Sequence, residues 1–203
     1  MNLNSYISKA YRVQYFNDEI IISGLTEEAF DFKLIKMNLD GSIVWHQTYG
    51  GNDYDHCFGM DINSNGEIFL AGHTLSGTQN WDTYTMKLNN DGELLWEQKV
   101  GNPRGFNPQY IHDEAWGIKA TNDGGCVTVA GTGDEYDNYS ECNSNGCSDI
   151  WNAYLIKYDQ NGLISWETTY SPNDIGEEDY DWAGEDIALT RDGGAIVAID
   201  NGQ

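Results

Sequence analysis

Lys36-Met-Asn-Leu-Asp-Gly-Ser-Ile-Val-Trp45, Lys87-Leu-Asn-Asn-Asp-Gly-Glu-Leu-Leu-Trp96 and Lys157-Tyr-Asp-Gln-Asn-Gly-Leu-Ile-Ser-Trp166 are three copies of one phrase. Each holds Lys and Trp nine residues apart around a turn dipeptide, Asp40-Gly41, Asp91-Gly92 or Asn161-Gly162. Self-similarity at this scale marks a repeat architecture, which constrains the fold before any single element is assigned.

The phrase sits at the end of a longer unit. In the second unit, strand candidates run over 56–62, 67–71, 82–88 and 94–100, separated by the Asn65-Gly66, Gly72 and Asp91-Gly92 turn signals. Asn-Gly and Asp-Gly readily supply the positive φ angles of short hairpin turns. Runs such as Glu19-Ile-Ile-Ile-Ser23 and Cys126-Val-Thr-Val-Ala130 are β-branched and too short for helices, and no stretch carries a clear amphipathic helical period. Fifty-one residues separate Trp45 from Trp96 and 70 separate Trp96 from Trp166, the excess falling at 133–150. Four strands per period of about 40–50 residues is the pattern of a β-propeller blade. The expected fold is therefore all-β, a propeller with four-stranded blades at about 8–51, 52–101 and 112–170, the last carrying the 133–150 insertion. A fourth blade is expected from 180 to 203 without its third and fourth strands. About three and a half blades do not close a ring, since the smallest usual ring has four. The expectation is a partial propeller or a fragment of a larger ring, completed by further blades or by homo-oligomerisation.

The same residues resemble a family of tandem repeats in secreted proteins of marine and gut Bacteroidetes. The resemblance rests on Thr121-Asn-Asp-Gly-Gly-Cys-Val-Thr-Val-Ala-Gly131, Thr190-Arg-Asp-Gly-Gly-Ala-Ile-Val-Ala198, Trp45-His-Gln-Thr-Tyr-Gly-Gly51 and the three Lys-to-Trp phrases. It covers nearly the whole chain apart from the insertion. It implies a quinoprotein-like blade pattern and a non-catalytic propeller portion of a large exported or surface protein. Departures are the insertion and Asp200 in place of the family's Gly.

Composition bounds the function. The 203 residues include 33 acidic and 10 basic side chains, a formal net charge of -23. Nucleic-acid affinity rests on Lys and Arg neutralising phosphates, so that class is excluded. Attraction to anionic membranes is excluded on the same ground. No apolar run reaches membrane-spanning length, and the first residues lack the basic and apolar regions of a signal peptide. An export signal is expected to lie elsewhere, with the mature protein extracellular or on the cell surface. Hydrophobic content of 39%, with seven Trp and 13 Tyr, is enough for a packed core. Cys57 and Cys126 lie in apolar runs and read as buried thiols. Cys142 and Cys147 flank a polar loop and read as a short disulfide, which contributes about 2 kcal/mol by the chain-entropy model and implies an oxidising compartment.

Repetition in every blade assigns Trp45, Trp96 and Trp166 to packing rather than ligand contact. Lys36, Lys87 and Lys157 are expected to be solvated or to pair between blades. Acids precede each first strand, Asp53 and Asp55, Asp113 and Glu114, then 177–181; they read as turn caps and inter-blade acceptors, or as a rim that binds cations or sugar hydroxyls. The insertion is the most individual segment, and binding residues concentrate on such loops. Its oxygen donors, Asp134, Asp137, Asn138, Glu141, Asn143, Asn145 and Asp149, suit calcium, which takes six to eight such ligands. Tyr136, Tyr139, Trp81 and Trp151 are the expected ligand contacts. No catalytic residue is assigned: the four His lack Ser or Cys partners in any nucleophile motif, and no phosphate-binding glycine loop occurs. The expected function is glycan or protein binding at the loop face. The alternatives are a propeller-fold lyase or glycoside hydrolase with acids at the channel mouth, and an oligomerising structural module.

Overall fold

The computed structural model describes residues 2–28, 30–101, 111–134, 151–171 and 181–202. All regular structure among them is β, in 14 strands. The first sheet is β1 (Lys9–Phe16), β2 (Glu19–Leu25), β3 (Phe32–Asn38) and β4 (Ile43–Tyr49). The second is β5 (Asp55–Ile62), β6 (Ile68–Thr74), β7 (Asp82–Leu88) and β8 (Leu94–Val100). The third is β9 (Ile111–Ala120), β10 (Cys126–Asp134), β11 (Asn152–Tyr158) and β12 (Ile164–Tyr170), followed by a hairpin of β13 (Asp181–Leu189) and β14 (Ala195–Gly202). Every pairing is antiparallel between sequence neighbours, so each sheet is a simple meander.

The turn of the repeated phrase differs from the simplest expectation. Only the glycine takes positive φ, at 92° for Gly41, 80° for Gly92 and 82° for Gly162. Asn38 N–H donates to the Ser42 carbonyl at 2.9 Å and Gly41 N–H to the Asn38 carbonyl at 3.0 Å, a three-residue loop rather than a two-residue one. A bulge just beyond the turn then sets Lys36 directly across from Trp45, Lys87 from Trp96 and Lys157 from Trp166. Cross-strand partners share a face, so the nine-residue spacing aims one Lys and one Trp together at the next sheet.

That face is an interface. Trp45 lies over the turn glycine of the second sheet, where a Cβ on Gly92 would stand 3.2 Å from the ring. Trp96 covers Gly162 of the third sheet in the same way, and its Nε1–H donates to the Gln160 carbonyl at 3.1 Å. Lys36 and Lys87 are buried rather than solvated. Each pairs with a Glu of its own sheet, Glu19 at 2.6 Å and Glu67 at 2.8 Å. Each also donates into the next sheet, to the Asn90 side chain at 3.0 Å and the Gly124 carbonyl at 3.1 Å. The third copy differs. Lys157 is buried and pairs with Asp123 of its own sheet at 2.9 Å, but it donates back to the Tyr158 carbonyl at 2.6 Å rather than into another sheet, and Trp166 remains 46% exposed.

Between the sheets lie three apolar layers. Ile68 and Leu70 of β6 enter the first, with Phe32, Leu34 and Cys57; Phe69 and Ala71 enter the second, with Cys126, Tyr154 and Tyr158. Because both faces of β6 are covered, the strand reads as a continuous apolar run. The third layer is thinner, Val127, Val129 and Leu155 against Ile187 of the hairpin. The first strands of successive sheets lie side by side, β5 between β1 and β9, and β13 beside β9. No closed ring is seen among the described residues.

Candidate ligand-binding site on the first strands

Each first strand carries a bulge, between the partners of the fifth and sixth residues of β2 and of the fourth and fifth residues of β6, β10 and β14. On β1 the pairing jumps from Ala10–Gly24 to Arg12–Ser23, and on β5 from Cys57–Gly72 to Gly59–Ala71. On β9 it jumps from Ala115–Ala130 to Gly117–Val129, and on β13 from Gly184–Ile199 to Asp186–Ala198. The extra residues are Tyr11, Phe58, Trp116 and Glu185. A bulge bends its strand and re-aims the side chain it carries. Here four bulges bring equivalent side chains to one level on neighbouring strands.

Glycines let the strands close in. A Cβ on Gly59 would meet the Gly117 carbonyl carbon at 3.2 Å, and one on Gly117 would meet the Glu185 oxygen and the Asp186 Cα at 3.0 Å. The result is a row of rings. Tyr11 and Phe58 have centroids 4.7 Å apart at 66°, and Phe58 and Trp116 stand 4.4 Å apart at 37°. Tyr11 is 38% exposed, and Phe58, Trp116 and Glu185 are half-buried. Burial, and then the charge of Asp200, raise the Glu185 carboxyl, while Arg12 opposes them.

A second layer lies beside the row. His56 Nδ1 and His73 Nε2 are 3.1 Å apart, so one ring donates to the other. His73 packs against Phe58, Trp116 and Trp81 at 5.3, 5.6 and 4.9 Å. Its burial pushes the imidazole down to about 4, so the ring is neutral at pH 7. His56 is lowered too, mainly by burial, with Glu114 and Asp55 opposing. Burial acts to raise the Glu114 carboxyl, but the His112 contact at 3.5 Å and the neighbouring imidazoles outweigh it and hold it below its usual range. Lys9 reaches to 5.9 Å over Phe30, which itself packs on His56 at 5.6 Å.

Of the expected contacts, Trp81 is half-buried at 4.7 Å from His56 and forms the outer wall of this cluster. Trp151 holds the equivalent place in the third sheet and lies against Gly131 and Gly133, with its N–H donating to Asp181 at 2.9 Å. The structure does not bring these two together. Tyr136, Tyr139, the disulfide pair Cys142 and Cys147, and the candidate calcium ligands Asp137, Asn138, Glu141, Asn143, Asn145 and Asp149 lie outside the described residues; Asp134 closes β10. Cys57 and Cys126 are buried free thiols, and burial raises the Cys57 thiol to about 12. No group of three or more His, Cys, Asp or Glu among the described residues is placed to hold a metal ion.

Of the acids before the first strands, 177–180 lie outside the described residues, while Asp55 and Asp113 serve as buried acceptors or joints rather than open rim groups. Asp55 is fully buried and accepts from Gly51 N–H at 2.7 Å, Ser76 Oγ–H at 3.0 Å and Thr74 Oγ1–H, pinning the chain between the first and second sheets. Asp113 is likewise fully buried at the next joint, its N–H donating to the Trp81 carbonyl at 2.7 Å.

Inspection of the motifs passes over the aromatic row, because its members share no local motif. A column alignment on the inner turns reveals it: Phe58, Trp116 and Glu185 each stand five residues before the turn residues Asn63, Thr121 and Thr190. Compared with known proteins, the chain matches no protein-family model, and none of the curated proteins matches it.

Proposed function

We propose that this chain is a segment of a β-propeller and serves as a non-catalytic, extracellular binding module for a glycan, engaged by the aromatic row of the first strands. The propeller reading is supported by the repeated four-stranded meander and by first strands that neighbour one another. The binding reading is carried by one observation. Four bulges line up Tyr11, Phe58, Trp116 and Glu185, leaving rings and a carboxylate partly open to solvent. Flat rings offer apolar area at little conformational cost, and flanking polar groups fix orientation, the usual composition of a small-ligand site. Calcium held by the insertion belongs to the same proposal as an accessory ion.

Glycan-array binding with the intact chain and its Trp116→Ala variant tests this. Glycan binding is expected for the parent and is expected to be lost in a variant that keeps its melting temperature. Unchanged binding in the variant would move the site elsewhere.

A second reading, an oligomerising module, is favoured by the outer half of the third joint. A cleft of about 750 Å³ lies between Trp166, Tyr170, Leu155 and the hairpin residues Leu189, Val197 and Ile199. At the first two joints the third strand of the next sheet enters the corresponding layer, with Tyr84, Met86 and Leu88 at the first and Tyr154, Ile156 and Tyr158 at the second. Mass in solution over a range of concentrations tests assembly through this cleft, and a strict monomer removes that reading.

A further inference from the structure

Charge around the row narrows the ligand class, an inference that rests on the row being the binding site. Lys9 and Arg12 come from β1, Glu114 from β9, Glu185 from β13 and Asp200 from β14, so cations and carboxylates stand around the row together. His56 is held toward its neutral form mainly by burial. Arg12 follows the bulge residue Tyr11 on β1, and Glu185 is itself the bulge residue of β13, so a cation and an anion stand at the level of the rings. The molecule as a whole carries a charge of -23, which repels polyanions at long range. We infer that the row binds an uncharged glycan chain. The pyranose C–H faces would lie on Tyr11, Phe58 and Trp116, and the hydroxyls would bridge the opposed charged groups.

An acidic polysaccharide would meet the global field and the carboxylates of Glu114, Glu185 and Asp200 at the row, while a cationic one would meet Lys9 and Arg12 there. A polyol can donate to a carboxylate and accept from a cation in one sugar unit, and it carries no charge for the field to reject. Because three rings stand in line rather than one, a run of sugars is favoured over a monosaccharide.

Calorimetric titration of the intact chain with cellohexaose, mannohexaose, xylohexaose and laminarihexaose, beside hexagalacturonate and the chitosan hexamer, decides the matter. At least one uncharged hexasaccharide is expected to bind, with little change between about 0.05 and 0.5 M salt. Trp116→Ala and, separately, Tyr11→Ala are each expected to weaken it about tenfold, the equivalent of one aromatic contact. Tyr11 is the more exposed of the two, so its variant keeps the test open if Trp116→Ala does not fold. Row-dependent preference for hexagalacturonate or chitosan would overturn the charge inference and leave the binding module standing. Binding that both variants retain, or no binding to any of the six probes, would overturn the row as the glycan site.

Discussion

Trp96 and Trp166 occupy the same place in one phrase and have different surroundings. Trp96 is clamped between Tyr158, Phe69 and the Gly162 turn, whereas Trp166 is 46% exposed beside an open cleft. Truncation costs what a side chain buries, so Trp96→Ala is expected to lower stability by about 3 kcal/mol and Trp166→Ala by about 1 kcal/mol, read from urea denaturation. Equal losses would mean that the third joint is as closely packed as the second. His73 supplies a titration test. Burial lowers its pKa from 6.5 to about 4, so folding favours the neutral ring. The stability this provides is complete above pH 6.5 and is lost as pH falls through 4, up to roughly 3 kcal/mol. Asp82, raised from 3.8 to about 6 chiefly by burial, acts in the opposite sense: its contribution to stability falls as pH rises from 3.8 to about 6 and is level above. The difference between the parent and His73→Gln isolates the histidine: the parent's advantage is expected to shrink between pH 6.5 and 4. A pH-independent difference would show that His73 is solvated.

Hairpins and bulges are where the elements carry their information. Glycine is needed at the phrase turn for two separable reasons, its φ and the tryptophan lying on it. Gly162 has φ 82° and a Cβ there would stand 2.7 Å from the Trp96 ring, while Gly193 has φ 87° and open space around it. Gly193→Ala is therefore expected to cost about 1 kcal/mol, the left-handed backbone penalty alone, and Gly162→Ala about 3 kcal/mol. Similar melting shifts for the two would discount the ring contact. The strands of the repeat were legible because turn residues and β-branched runs act locally. Strands expected at 82–88 and 94–100 are β7 and β8 as observed. The bulges were not legible: nothing in Cys57-Phe58-Gly59 announces an extra residue, because a bulge is defined by the partner strand. For Lys36 and Lys87 alternation left solvation and pairing between blades both open, and the structure shows them buried and donating into the next sheet. Their acceptors, Asn90 and Gly124, lie 54 and 37 residues away.

At the scale of the whole molecule, stability is distributed unevenly. The second and third sheets are covered on faces where β6 and β10 bury nearly every side chain, while β13–β14 meets the rest through the thin Ile187 layer and leaves Ile196 67% exposed. Local opening follows burial and pairing. Hydrogen exchange is expected to be fastest in β14 and slowest in β6 and β10, and comparable protection would indicate that β14 is covered in solution. By itself the sequence determined the repeat, its four-strand unit, the turn glycines, the tryptophan columns and the strongly acidic charge balance. Those depend on spacing, composition and backbone sterics, which act within a few tens of residues or sum over the chain. Only the tertiary structure decided which residues face one another across strands and units: the aromatic row over three sheets, the cross-strand His56–His73 pair of the second sheet and the buried Asp55 joint. The two histidines are 17 residues apart and neighbouring rings of the row more than 40, and the approach of neighbouring first strands at Gly59 and Gly117 brings those rings within contact.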